Sequence, residues 1–506
     1  MPFTRTIIEV AESDPRRLAL AGDGDRFSYL ELRGACTLIR SGVEHLLDGP
    51  DAIYRRGANA ETDGVPIIAV SLSRAIDVAR FICGVAGFRA IIAVLDPLWP
   101  QAHRLETIRR VDPAVVITDD VVFEDALGAP ELWTGRAVSL AEFDALAASA
   151  PASAGPEVRP RHEPFLLLFT SGTTNLPKGF LRTRGSWDHN VGISRAYLGA
   201  GENMSTIAPG PVSYSLTLYT VVEVMATGGS LYLQSGFDAI AAAHTIDAER
   251  IERFVGVPAM LPTLVRASER SELSLGSLRE VITGGANQSE RIRATFEAAA
   301  PHAHLRSYYG ASEIGFIGYS DSDDGTRLTP FRGIGVSVRD DAGAGVPDGE
   351  IGTLHIRVVS AVERYLSATS VDRITGEDGW ASVNDQASFA DGVITLAGRA
   401  GDIAVSGGHK VSLPQVERAL ASVPGCEICC AAVLPDAALG SLIVVVVEGS
   451  QVPPKHVMQE ALRSLLAPQF MPHRYYRADE LPRTAGGKIR RVAVTELVER
   501  QHAERL

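Results

Sequence analysis

Short apolar runs alternate with longer amphipathic stretches along the first part of the chain. Residues 28–47 place apolar side chains at helical spacing, 65–71 form a strand-like run, 75–86 are helical again, and 90–95 are a second apolar run. Helices lying between wholly apolar strands predict a largely parallel sheet covered on both faces. The same layering returns over 204–338, with strand signals near 205–208, 230–233, 254–257 and 278–283. Gly- and Asp-rich turns with short β segments follow, at 352–358 and 392–396. Beyond Gly398 the remaining length suits one small α+β domain: a helix from Pro414, a strand over 442–447, a helix over 454–466 and a basic tail. Pro414 fits the first turn of a helix, where its missing N–H costs nothing.

One apolar run ends differently from the others. Phe165-Leu-Leu-Leu-Phe169 passes into Thr170-Ser171-Gly172-Thr173-Thr174-Asn175-Leu176-Pro177-Lys178-Gly179. Strand, then glycine and hydroxyls, then one lysine is a composition that grips an oligophosphate. Main-chain N–H groups can approach an anion where glycine removes the Cβ, and hydroxyls bond to phosphate oxygens without adding charge. Thr183 is a further hydroxyl nearby. The order Pro-Lys-Gly differs from the Gly-Lys-Ser/Thr of the P-loop, which separates the two chemistries. Residues 147–160, rich in Ala, Pro and Ser, read as a surface linker before this loop.

At 506 residues the chain is long enough for two or more domains, and 45% hydrophobic with 22% charged residues is ordinary globular composition. No apolar run approaches the about 20 residues needed to span a bilayer, and the first residues lack the layout of a signal peptide. A cytoplasmic location is the expectation. The net charge of −13 disfavours nucleic acid as a partner, so any anionic ligand needs a local site. Five cysteines do not make a disulfide framework. Cys36 and Cys83 sit in apolar surroundings, and Cys426, Cys429 and Cys430 run into Ala-Ala-Val-Leu as buried strand thiols do.

Four more segments join the phosphate loop. Ser307-Tyr308-Tyr309-Gly310-Ala311-Ser312-Glu313 offers aromatic rings, a hydroxyl and a carboxylate, and Thr283-Gly284-Gly285-Ala286 is a glycine turn at a strand end. Asp385 follows Val383-Asn384, and Arg399 follows Gly398. Near the end, Leu481-Pro-Arg-Thr-Ala-Gly-Gly487-Lys488-Ile-Arg-Arg491 presents one lysine on glycines. In order and spacing these segments resemble the adenylate-forming superfamily, which includes acyl-CoA synthetases, aryl acid ligases and adenylation domains. The resemblance runs from about residue 28 to residue 491.

That resemblance implies an α/β fold: a large N-terminal domain of layered α/β subdomains plus a small β-barrel-like subdomain, over 1–399, then a small mobile α+β lid over 402–506. The hinge is expected near 400–402, where Gly401 stands in place of the more usual Asp or Lys. The loop 406–411, which includes His409, resembles the segment that enters the site for thioester formation.

It further implies that Thr170, Ser171, Gly172, Thr173, Thr174 and Lys178 bind the phosphates of ATP, with Gly284, Gly285, Ala286, Tyr308, Tyr309 and Gly310 around adenine. Asp385 would reach the ribose, Arg399 the ribose or a phosphate, Ser312 the α-phosphate, and Glu313 would help hold Mg²⁺. Lys488 is the expected main catalytic residue, because a carboxylate attacking a phosphoryl group brings two anions together and a positioned ammonium offsets the repulsion.

For the acid, Pro209-Gly-Pro-Val-Ser-Tyr214 puts a tyrosine where many acyl-CoA synthetases have a histidine. No carboxylate stands between Val212 and Thr220 to pair with an α-ammonium group, which disfavours amino acids. Expected pocket walls are Tyr214, Leu218, Gly256, Val257, Ala259, Gly284, Gly285, Ala311 and Gly315, which suit an apolar carboxylic acid. The expected product is an acyl-AMP and then a thioester, with coenzyme A or a carrier protein's phosphopantetheine as acceptor. The alternative class is a non-catalytic binder of nucleotide or acyl-adenylate, disfavoured by the joint presence of Lys178, Glu313 and Lys488.

Overall fold

Every residue of the strands Ile67–Ser71, Ile91–Val94 and Val115–Thr118 is buried, which explains why they read as unbroken apolar runs. The computed structural model describes residues 2–48, 60–62, 64–128, 133, 135–170, 176–285, 288, 290–321, 325–406, 409–436, 439–466, 468–483 and 489–506. These three strands join Arg136–Ser139, Pro164–Thr170 and Lys178–Thr183 in one sheet. Neighbours are parallel except the last pair, an antiparallel hairpin.

Helices start where side chains can cap them. Asp120 accepts from the N–H of Phe123, Ser139 from that of Glu142, Thr183 from that of Ser186, and Asp238 from those of Ile240 and Ala241. Residues 150–160 differ from a free linker. The Arg40 guanidinium donates to the Gly155 carbonyl at 2.6 Å, Ser41 Oγ accepts from the Ser153 N–H at 3.0 Å, and the Glu157 N–H reaches the Gly87 carbonyl at 2.8 Å. The segment is laid along the helix Tyr29–Asp48 rather than released into solvent.

The chain divides into two compact units, 1–335 with 356–381 and 336–355 with 382–506. The first unit holds the sheet above and a second one, in which Leu18–Gly22, Ser230–Gln234, Ser205–Pro209, Arg253–Gly256, Glu280–Thr283 and His304–Ala311 run parallel. Gly315–Ser320 and Arg327–Pro330 continue it antiparallel. Beneath the parallel strands, Arg253 and Glu223 form an ion pair at 2.7 Å with both side chains 1% exposed.

In the second unit, Asp385–Ala390 and Val393–Arg399 form a hairpin, and Ile403–Ser406 pairs with His409–Ser412. Gly440–Glu448 is the centre of a small sheet with Cys429–Asp436 and Arg474–Ala478 beside it. Ile443, Val445 and Val447 face a core with Val416, Leu420, Met458 and Leu462, whereas Val444 and Val446 face another with Val494 and Val498. Two covered faces account for the continuous valines. Cys426 and Cys430 are buried in these cores, and Cys36 and Cys83 are buried in the first unit. Among the described residues no helix is long and apolar enough to cross a membrane.

Candidate active site

The hairpin that carries the phosphate loop pairs Thr170 with Lys178 and Phe169 with Gly179. Ser171, Gly172, Thr173 and Thr174 lie outside the described residues, as do Ala286 and Lys488. What holds the mouth of the loop is a distant segment, 365–372. Thr369 Oγ1 accepts from the Gly179 N–H at 3.0 Å and the Leu366 N–H donates to the Gly179 carbonyl at 2.7 Å. The Lys178 ammonium lies 2.5 Å from the Asp372 carboxylate and 5.3 Å from the centre of the Tyr365 ring. The hydrogen bond from Lys178, and then that from Ser370, holds the Asp372 carboxyl below its usual range. Thr183 does not join the grip. It sits at the opposite end of the hairpin, across from Pro164, with its hydroxyl capping the next helix.

Glu313 occupies the turn between His304–Ala311 and Gly315–Ser320, and is 7% exposed. Its carboxylate accepts from the Tyr365 hydroxyl at 2.7 Å. Burial, and then the charge of Glu313, push the Tyr365 hydroxyl far up, so it remains a donor at neutral pH. Arg182, 2% exposed on the hairpin's second strand, donates to the carbonyls of Ser360 at 2.6 Å and Glu313 at 3.3 Å. Burial pulls its guanidinium down to about 10, which leaves it charged at neutral pH. One end of the phosphate loop and the carboxylate turn of the other sheet are thereby joined.

The donor set fits a hard divalent ion carried by a triphosphate, which takes one or two carboxylates from a protein. The hydrogen bond from Tyr365 engages one oxygen of Glu313 and leaves the other.

Three parallel strands pair in register, Gly256 with Thr283 and Thr283 with Ser307, so Val257, Gly284 and Tyr308 follow in a row where the parallel pairing ends. A Cβ at Gly284 would stand 2.5 Å from the Tyr308 ring, and Gly285 has φ +79°. Only glycine fits the first and suits the second. Thr283 and Ser307 both donate to the side-chain oxygen Oε1 of Gln288, at 2.8 and 3.1 Å. Tyr309, Gly310, Ala311 and Ser312 lead from this edge to Glu313, and Ser312 Oγ lies 2.9 Å from Ser215 Oγ.

Tyr214 immediately precedes the helix Ser215–Thr227 and is 44% exposed. Burial, and then the charge of the Asp96 carboxylate, push its hydroxyl up. Asp96 is itself held in place by accepting from the Leu98 N–H at 3.0 Å. Gly256 is backed by Phe254 and Met260, and Gly315, with φ +104°, by Asn190 and Ser360. Ala259 is exposed and Val257 half-buried, whereas Leu218 is fully buried in the core.

In the second unit Asp385 and Arg399 are direct partners across their hairpin, with Arg399 Nε 3.5 Å from Asp385 Oδ1. The two ends of the segment that carries Lys488 are drawn together by a bridge between Arg483 and Ile489 and by the Arg490 N–H donating to the Pro482 carbonyl at 2.8 Å. Arg483 pairs with Glu448 at 2.6 Å, and Arg491 with Asp402 at 2.8 Å and with Glu417.

Sequence reasoning missed Tyr365, Asp372, Arg182 and Asp96. An arginine within the apolar second strand of the hairpin, Phe180-Leu181-Arg182, was the one signal open to reading, because a buried guanidinium needs partners. Tyr365 and Asp372 carry no local pattern.

Residues 8–366 match the family of AMP-binding enzymes. The uncharacterized acyl-CoA ligase YhfT of Bacillus subtilis is 25% identical over 505 residues, 99% of each chain. The indoleacetate-CoA ligase of Aromatoleum aromaticum is 29% identical over 359 residues, 68% of this chain and 69% of that one. ATP-bound MatB from Rhodopseudomonas palustris has the same fold, with TM-score 0.83 and 20% identity over 98% of both chains. With a match across most of its length and a phosphate hairpin tied to a carboxylate turn at the carboxyl edge of a parallel sheet, the chain belongs to the AMP-binding enzyme family, the adenylate-forming superfamily.

Proposed function

We propose that this protein uses ATP to convert an apolar carboxylic acid to an acyl-AMP and then to a thioester. A carboxylate oxygen attacks the α-phosphorus, the bond to the bridging oxygen breaks, and pyrophosphate leaves. A thiol sulfur then attacks the acyl carbon and AMP leaves. The observation that supports the reading is Tyr365, whose ring lies against the Lys178 ammonium and whose hydroxyl donates to Glu313, so that a cation and a carboxylate meet at one side chain.

In this reading Lys178 and the loop hydroxyls hold the β- and γ-phosphates, and Glu313 is the carboxylate for Mg²⁺, which when bound offsets phosphate charge. Ser312 contacts the α-phosphate, Tyr309 lies along adenine, and Asp385 and Arg399 reach the ribose. Lys488 neutralises the α-phosphoryl oxygens during adenylation, and rotation near 400–402 brings its domain into and out of position. Coenzyme A is the acceptor we favour, since the relatives named above are CoA ligases. A reaction that uses ATP and coenzyme A suits the cytoplasm.

Tyr214 and the small residues Gly256, Gly284 and Gly315 favour a flat or linear apolar acid. The test is exchange of labelled pyrophosphate into ATP across a panel of aryl and fatty acids, followed by hydroxylamine trapping and thiol acceptors added one at a time. Exchange dependent on at least one acid is expected. ATP binding with no exchange across the panel would leave a nucleotide binder instead.

A further inference from the structure

Tyr365 has no part in the roles assigned above, yet three of its features converge on the two charged residues of that corner. Its ring lies beneath the Lys178 ammonium, 5.3 Å away, and is braced edge-on by Phe180 at 6.1 Å. The hydroxyl donates to Glu313 at 2.7 Å. Its main chain belongs to the segment that grips both sides of Gly179, which anchors the backbone from which ring and hydroxyl project. A carboxylate that is 7% exposed and bonded by one fixed donor has one orientation available for its second oxygen.

We infer that Tyr365 is a positioning residue that sets the orientation of Glu313 toward the metal of a metal-nucleotide complex, with its ring set against the Lys178 ammonium. This rests on the reading of Glu313 as the metal-holding carboxylate. A tyrosine that merely filled space would matter through its ring, and phenylalanine would replace it. A positioning tyrosine acts through its hydroxyl, and the loss falls on the metal-bound form of the nucleotide.

The experiment is calorimetric titration of the full chain with α,β-methylene-ATP, once with Mg²⁺ and once with metal removed by chelator, for the parent, Tyr365→Phe and Glu313→Gln. For Tyr365→Phe, binding of the Mg²⁺ complex should weaken about tenfold, as loss of an outer hydrogen-bond partner of a metal ligand does, while metal-free binding changes less than about twofold. Its thermal midpoint should stay close to that of the parent, because the ring and its contacts remain. Equal binding of the Mg²⁺ complex by Tyr365→Phe and parent would overturn the inference, provided Glu313→Gln weakens it. If Glu313→Gln also leaves the Mg²⁺ complex unaffected, the assignment of Glu313 falls first and that of Tyr365 with it. Loss of the same size with and without metal would also overturn the inference and reduce Tyr365 to a packing role.

Discussion

Lys178 is engaged by Asp372, its ammonium 2.5 Å from a carboxylate that is 56% exposed. The cation expected to meet phosphate thus already has a carboxylate partner. If Lys178 meets phosphate as proposed, an incoming phosphate and Asp372 compete for one ammonium, and an exposed pair of this kind is weak enough to open.

Asp372→Asn should therefore tighten nucleotide binding, by up to about fivefold, given that exposed pairs are worth ~1 kcal/mol or less. Titration with a fluorescent ATP analogue checks this; weaker binding would mean that Asp372 aims the lysine rather than competing for it. The pair's contribution to stability has a definite sign in pH. The carboxyl of Asp372 is depressed in the folded chain, so its stabilisation is present above the ordinary carboxylate range and is lost as pH falls through the depressed value. Melting midpoints of parent and Asn variant should differ slightly at neutral pH and converge in strong acid.

Gly284→Ala places a methyl 2.5 Å from the Tyr308 ring. The ring is itself wedged against Phe316 at 4.8 Å, so the clash must move the strand end. A cost of about 1–3 kcal/mol is expected from overpacking, with a nucleotide affinity loss of at least about tenfold. Chemical denaturation and nucleotide titration on the same sample separate the two; unchanged nucleotide affinity would remove this turn from the site.

Glu223→Ala strands the Arg253 guanidinium in the core and should cost about 3–5 kcal/mol. The double change Glu223→Leu, Arg253→Met removes both charges and should recover much of that loss. Urea unfolding of the parent and the two variants decides it, and a double variant as unstable as the single one would show that the arginine's bond to the Leu198 carbonyl, at 2.9 Å, matters more than the pair.

Lys488→Ala should abolish acyl-AMP formation and spare thioester formation from acyl-AMP supplied as substrate. Pyrophosphate exchange reads the first and release of AMP with coenzyme A reads the second. Equal loss of both steps would take away the assignment of this lysine to adenylation.

Much of this was open to reading from the chain. Runs such as Ile67–Ser71, Arg253–Gly256 and Gly440–Glu448 are buried on both faces, and their apolar continuity marked them as strands within a residue or two. The glycine turn at Gly284 showed itself because small residues in a row after an apolar run have few other reasons to be there. Thr183 was misread because proximity in sequence was taken as proximity in space, although an extended strand carries five residues about 16 Å. Tyr365 and Asp372 were invisible for the opposite reason. They reach the hairpin across 187 and 194 positions or so, and nothing near them in sequence records where that contact falls.

The fastening of Gly179 by Thr369, 190 residues further on, has a consequence for biosynthesis. A ribosome adding about 5–20 residues per second completes the hairpin roughly ten to forty seconds before its fastener is made. Nascent chains stalled short of residue 365 lack the tyrosine and the aspartate of that corner, so competence to hold nucleotide arrives late, as a step in translation rather than a gradual gain.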